Sequence, residues 1–173
     1  MSLSINLEGS APVSFAERLA ASEAFKTLFQ EGMSLVEEAA AYLDGAGREQ
    51  ARALGRSDSL AYAAESMRLT TRLMQLASWL LLQRAVNEGE LTLDQAAHEK
   101  RKVKLSSQDQ AAAPDAFARL PQNLRDLVCE SLRLQARILH LDQLLYLDPD
   151  APFAAPAVSP VQQQLDRLRA AFG

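Results

Sequence analysis

The lone thiol of the chain, Cys129, and the histidine that follows it, His140, are the first pair to test for nucleophilic chemistry. A nucleophile and its base must lie within hydrogen-bond reach. Eleven residues of continuous helix separate these two by roughly 16 Å, which rules out a dyad. A di-metal carboxylate site in a bundle needs Glu-x-x-His on two helices. Gln95 precedes His98 at that spacing and Arg137 precedes His140, so neither fits. One cysteine and two distant histidines offer no zinc spacing. Glu37 and Glu38 are neighbours on a helix and point about 100° apart, so they do not converge as an acid/base pair. No glycine-rich phosphate loop is present, and Gly45-Ala46-Gly47 follows a helix, not a strand. These patterns predict no catalytic residue, no metal and no cofactor.

Binding chemistry has more candidates. The run 98–104, His-Glu-Lys-Arg-Lys-Val-Lys, is the one local basic cluster. It suits a solvated face, an acidic partner or nucleic acid, but no aromatics interleave it and the net charge is −4, which weighs against nucleic acid. The second candidate lies in the leucine-rich stretch 65–90. Stepping about 100° per residue sorts that helix into three strips. Leu69, Leu73, Leu76 and Leu80 make one apolar row. Leu60, Ala63, Met67, Met74, Leu81 and Ala85 make another, with Thr71 and Ser78 as small spacers. Two apolar rows predict a helix clamped between two neighbours. The third strip holds Glu65, Arg68, Arg72, Gln75, Trp79 and Val86, so Trp79 falls outside both apolar rows. Either the 90–118 connection folds back over it, or Arg68, Arg72, Gln75 and Trp79 form a partner-binding surface of the Trp/Arg type enriched at interface hot spots.

The elements that must carry these strips are helical. With 173 residues the chain is one domain's worth, and isoleucine occurs only at Ile5 and Ile138. Few β-branched residues among many alanines and leucines predict an all-α protein. A single cysteine suggests a reducing compartment. The N-terminus lacks a signal-peptide pattern, and the uncharged run Leu73 to Gln83 is too short to span a bilayer. The expectation is a soluble cytoplasmic protein.

Ser14-x-x-Glu17 is a capping box for the first helix, with Phe15, Leu19, Phe25, Phe29, Val36, Ala40 and Leu43 as its stripe and Leu28, Leu35 and Tyr42 widening it. Asp44-Gly45 ends it. A connection over 45–57 leads to the second helix, about Asp58 to Val86, stopped by Asn87-Glu88-Gly89. Thr92-x-x-Gln95 caps a short helix through about Val103, and 104–118 reads as a loop with a small helical start near Asp115. The third helix starts at Pro121, and Leu120, Leu124, Leu127, Ser131, Leu134, Ile138, Leu141 and Leu145 give it a heptad seam. Beyond Asp148-Pro149 comes a Pro/Ala-rich linker, then an amphipathic segment with Val161, Leu165, Leu168 and Phe172 on one face. That segment is too short to be firmly helical alone, and is a second candidate for partner binding in the helix-in-groove mode. The predicted organisation is a disordered 1–12, an elongated, antiparallel up-down-up three-helix bundle over 13–147 with a short extra helix between helices two and three, and a flexible 148–173.

The segments SFAERLAASEAFKTLFQEGMSLVEEAAAYLDGAGREQ and LAYAAESMRLTTRLMQLASWLLLQRAVNEGEL carry a resemblance that periodicity does not supply. They resemble an alphaproteobacterial family, long catalogued as a domain of unknown function, whose named member is the regulator of CtrA degradation. The resemblance spans about 12–147 and leaves 148–173 in a variable tail. It implies a three-helix bundle without enzymatic activity, cytoplasmic or polar-localised in a bacterium and often dimeric. It further implies an adaptor that helps deliver cell-cycle regulatory substrates to the ClpXP protease together with other adaptors. It brings no residue-level binding motif. The rival readings are a DNA-associated regulator using 98–104 and a purely structural homo-oligomer.

Overall fold

The computed structural model describes residues 22–103, 105 and 112–146. The described residues form α1 (Glu23–Asp44), α2 (Ala46–Arg52), α3 (Arg56–Asn87), α4 (Leu93–Lys100), α5 (Pro114–Ala118) and α6 (Gln122–Tyr146). All are helical, and α1, α3 and α6 are the three long members of a bundle. The capping box at Ser14, the positions Phe15 and Leu19, the segment 1–12 and everything from 147 onward lie outside the described residues.

Local signals set the helix boundaries. Thr92 accepts the N–H of Gln95 while the Gln95 side chain accepts the N–H of Thr92, so the predicted box opens α4. Gly89 takes φ 76° just past the end of α3, a left-handed turn that glycine tolerates without strain. The connection after α1 is itself a two-turn helix, α2. Gly47 lets it press on the core, since a Cβ there would sit 2.5 Å from the Tyr62 hydroxyl and 2.7 Å from the Tyr42 carbonyl oxygen. Between α3 and α6 lie two short helices, the one opened by Thr92 and, at the helical start expected near Asp115, Pro114–Ala118.

The heptad seam of α6 is buried as predicted from Leu120 through Leu141. In α1 the emphasis shifts. Phe25, Leu28, Leu35, Ala39 and Tyr42 form the core face, while Phe29, Val36 and Leu43 flank it and Ala40 is exposed.

The direction of the helices corrects the up-down-up expectation. Glu31 on α1 pairs with Arg137 on α6, and Tyr42 lies near Leu127, so α1 and α6 run oppositely. Phe29 lies under Arg84, Gly32 against Leu80 and Leu43 near Tyr62, so α1 and α3 run oppositely as well. But Asp58 pairs with Arg119, Arg72 with Ser131, Trp79 with Asp142 and Gln83 with Tyr146. Partners on α3 and at the start and along the length of α6 climb together, so these two helices are parallel. A parallel pair requires a crossover that returns along the bundle. The described parts of the connection show the return: α4 lies at the Trp79 end of α3, and Ala112 reaches Glu65 nearer the other end.

Candidate functional site

The crossover determines what happens to the third strip of α3. Trp79 is fully buried, and its indole N–H donates to Asp142 Oδ1 at 2.6 Å. A buried tryptophan needs such an acceptor. Over its ring lies the ammonium of Lys100, from the last turn of α4, 4.4 Å from the centroid. The same ammonium is 3.4 Å from the Tyr146 ring centroid, 3.7 Å from Asp142 Oδ1, and donates to Gln83 Oε1 at 3.2 Å. Gln83 Oε1 also accepts the Tyr146 hydroxyl at 2.9 Å, and the Gln83 amide donates to Asn87. Burial pushes the Lys100 ammonium down to about 7, with Asp142 opposing the shift. Burial, reinforced by the Asp142 charge, pushes the Tyr146 phenol up to about 12.

Further along the strip, Arg72 is also buried and donates to Ser131 Oγ at 2.8 Å, which in turn donates to the Val128 carbonyl. Burial pulls the Arg72 guanidinium below its ordinary value; Glu65 opposes this and Arg68 adds to it. Glu65 is buried too. Its Oε1 accepts from Arg68 Nε at 3.0 Å and from the Ala112 N–H at 3.1 Å. Two of the four predicted contact residues, Arg72 and Trp79, are therefore internal, and they hold α6 in register beside α3. Arg68 and Gln75 remain half-buried. The 90–118 connection covers the strip through Lys100 and Ala112, aided by Asp142 and Tyr146, four residues apart on α6. The demand of a buried indole N–H for an acceptor was the one signal that pointed to them. Lys100 also takes the middle of the basic run indoors, and Lys102 pairs with Glu99. Val161, Leu165, Leu168 and Phe172 lie outside the described residues.

The row predicted to meet a second neighbour is the one left in solvent. Leu60 is 66 % exposed, Met67 71 %, Met74 67 % and Leu81 52 %. In α3 from Leu60 to Leu81 the exposed residues are Leu60, Ala63, Met67, Thr70, Thr71, Met74 and Leu81, none of them charged. Two hydroxyls along it turn inward: Thr70 and Ser78 each donate to the carbonyl four residues back at 2.8 Å. Towards its N-terminal end the row opens into a groove of about 690 Å³ where Met67, Thr70 and Thr71 face Leu43, Ala51, Arg48 and Arg52. The physical reason for the exchange of faces is that α3 packs on α1 and α6 through one arc, and the crossover closes the arc next to it. Apart from the groove at its N-terminal end, the remaining apolar row is left open.

Cys129 and His140 are both exposed on the single helix α6, eleven residues apart. Glu37 and Glu38 are exposed on α1. Among the described residues no group of three or more His, Cys, Asp or Glu is placed to hold a metal, and no helix is long and apolar enough to cross a membrane.

Fold and faces define a class: a three-helix bundle protein whose prominent surface feature is a neutral apolar row. The chain belongs to the family of proteins of unknown function DUF1465, which matches residues 16–172. The match extends beyond the 12–147 over which the resemblance was read, as far as residue 172. A structure it resembles is that of RcdA from Caulobacter crescentus CB15, at 48 % identity and a TM-score of 0.63, covering 76 % of this chain and 98 % of that one. This agrees with the resemblance to the regulator of CtrA degradation. No curated protein matches.

Proposed function

We propose that this protein is a non-enzymatic adaptor of regulated proteolysis, which helps deliver cell-cycle regulatory substrates to ClpXP in the bacterial cytoplasm, concentrated at a cell pole. The observation that carries the reading is the neutral row on α3. A contiguous apolar face on a soluble bundle marks a protein contact, and methionines at Met67 and Met74 supply side chains that adapt to more than one partner. The half-buried Gln75 and Arg68 flank the row and join the proposed surface as its polar rim. The likeness to RcdA supports a regulatory role. An adaptor of this kind works by raising the effective concentration of one partner near another, which needs surfaces and no bond-breaking group.

The test is affinity capture from the native cell with the intact chain and with Met67→Glu/Met74→Glu. Loss of protease components and regulatory substrates from the variant, with circular dichroism unchanged, supports the reading. Equal capture by both chains overturns it. The same exposed row suits a self-contact, so sedimentation of both chains over a range of concentrations separates a homo-oligomer from a hetero-adaptor.

A further inference from the structure

We propose that the C-terminal segment 159–173 docks in cis on the neutral row of α3, seating Val161, Leu165, Leu168 and Phe172 against Met67, Met74 and Leu81, and so competes with partners for that face. The competition rests on the reading of the row as the partner surface; the docking itself does not.

Where the described chain ends favours this occupant. α6 closes at Tyr146, whose hydroxyl bonds to Gln83, so the described chain ends level with the Leu81 end of the row, on the opposite side of α3. Residues 147–158 reach up to about 40 Å when extended. A helix with its side chains is only about 10–12 Å across, so the linker can pass around α3 without strain. The four apolar positions of the tail are spaced 4, 3 and 4 residues apart and span about 17 Å as a helix, against about 21 Å from Met67 to Leu81. The row holds no exposed charge between Leu60 and Leu81, and Asp166, Arg167 and Arg169 fall off the apolar side of the tail, so docking buries no unpaired charge. Tethering supplies an effective concentration in the millimolar range, enough for a face of this size.

The ε-methyl groups of Met67 and Met74 report on this directly. Carbon-13 methionine-methyl spectra are recorded on the full chain and on a chain truncated after residue 147, each at two concentrations tenfold apart. Docking predicts that Met67 and Met74 methyls shift on truncation while Met33, on α1, stays put. The shift is independent of dilution, shrinks with Phe172→Leu, and is reproduced in the full chain by Leu165→Asp/Leu168→Asp. Identical methyl positions with and without the tail overturn the proposal, because the face is then free. Shifts that follow concentration also overturn it, because a second copy then covers the row. Competition predicts that truncation tightens binding of the captured partner at least threefold. If Met67→Glu abolishes partner capture while the methyls ignore the tail, the docking fails and the adaptor reading stands. If the methyls register the tail and Met67→Glu leaves capture unchanged, the docking stands and the adaptor surface fails.

Discussion

The indole N–H of Trp79 donates to Asp142 Oδ1 at 2.6 Å, and this bond joins two helices that run in the same direction. Together with Arg72–Ser131 and Gln83–Tyr146 it fixes the register of α3 against α6. The parallel arrangement requires a return connection between the two helices, and its described residues Lys100 and Ala112 cover one face of α3.

Trp79 is expected to act on stability and not at a contact surface. Trp79→Ala removes a fully buried indole and leaves Asp142 without that donor, so it should cost about 3–5 kcal/mol. Asp142→Leu leaves the indole N–H without its acceptor and removes the carboxylate beside the Lys100 ammonium, and should cost about 2–4 kcal/mol. Urea unfolding followed by circular dichroism measures both. A Trp79→Ala chain as stable as the native one would refute the internal role assigned to the residue.

Lys100 makes stability depend on pH with a definite sign. Its folded value is about 7, against about 10.4 in the unfolded chain. Between those values the unfolded chain holds the proton and the folded chain releases it, so the unfolding free energy rises with pH, by at most about 1.4 kcal/mol per pH unit. The destabilising cost of the buried charge is fully present below pH 7. Tyr42 and Tyr146, both pushed up to about 12, contribute in the opposite sense above about pH 10, so the window to measure is 7 to 9.5. Lys100→Met should flatten the slope in that window. A native chain with no slope there would contradict the burial of the ammonium.

Gly47 is a position where space, and not conformation, demands glycine. Gly47→Ala would drive its methyl into the Tyr42 carbonyl and the Tyr62 hydroxyl and should cost about 1–3 kcal/mol. Gly55, where an added Cβ meets nothing within 4 Å, is the matched control and should tolerate alanine within about 0.5 kcal/mol. Thermal unfolding of the two variants decides the point; equal melting temperatures would count against the close approach of α2.

Much of the fold was legible in the residues. The seam from Leu120 to Leu141 specified the buried face of α6, and the Thr92–Gln95 box and Asn87-Glu88-Gly89 marked helix ends, because caps and periodicity are local properties of the chain. Direction was not legible. Three helices with medium connections read as up-down-up, whereas the crossover makes α3 and α6 parallel, and that choice depends on contacts such as Asp58–Arg119 between residues far apart in sequence. Which strip of α3 is covered was not legible for the same reason. Helical stepping correctly separated Leu60, Met67, Met74 and Leu81 from the strip of Glu65, Arg72 and Trp79, but it cannot say which face a neighbour takes. The strip's polarity left it open between cover by the 90–118 connection and contact with a partner; Lys100 and the Ala112 N–H, which satisfy its polar groups, realise the first of these.

Partner binding at the neutral row of α3 is the step on which the proposed function depends. Its most direct test is the rate at which ClpXP degrades a cell-cycle regulatory substrate, reconstituted with the co-operating adaptors, in the presence of the native chain or of Met67→Glu/Met74→Glu. Both substitutions fall on exposed positions and should leave stability within about 0.5 kcal/mol per site. Partner binding at this row requires that the native chain accelerate degradation and that the folded variant not do so. Acceleration by the variant equal to that by the native chain would contradict it.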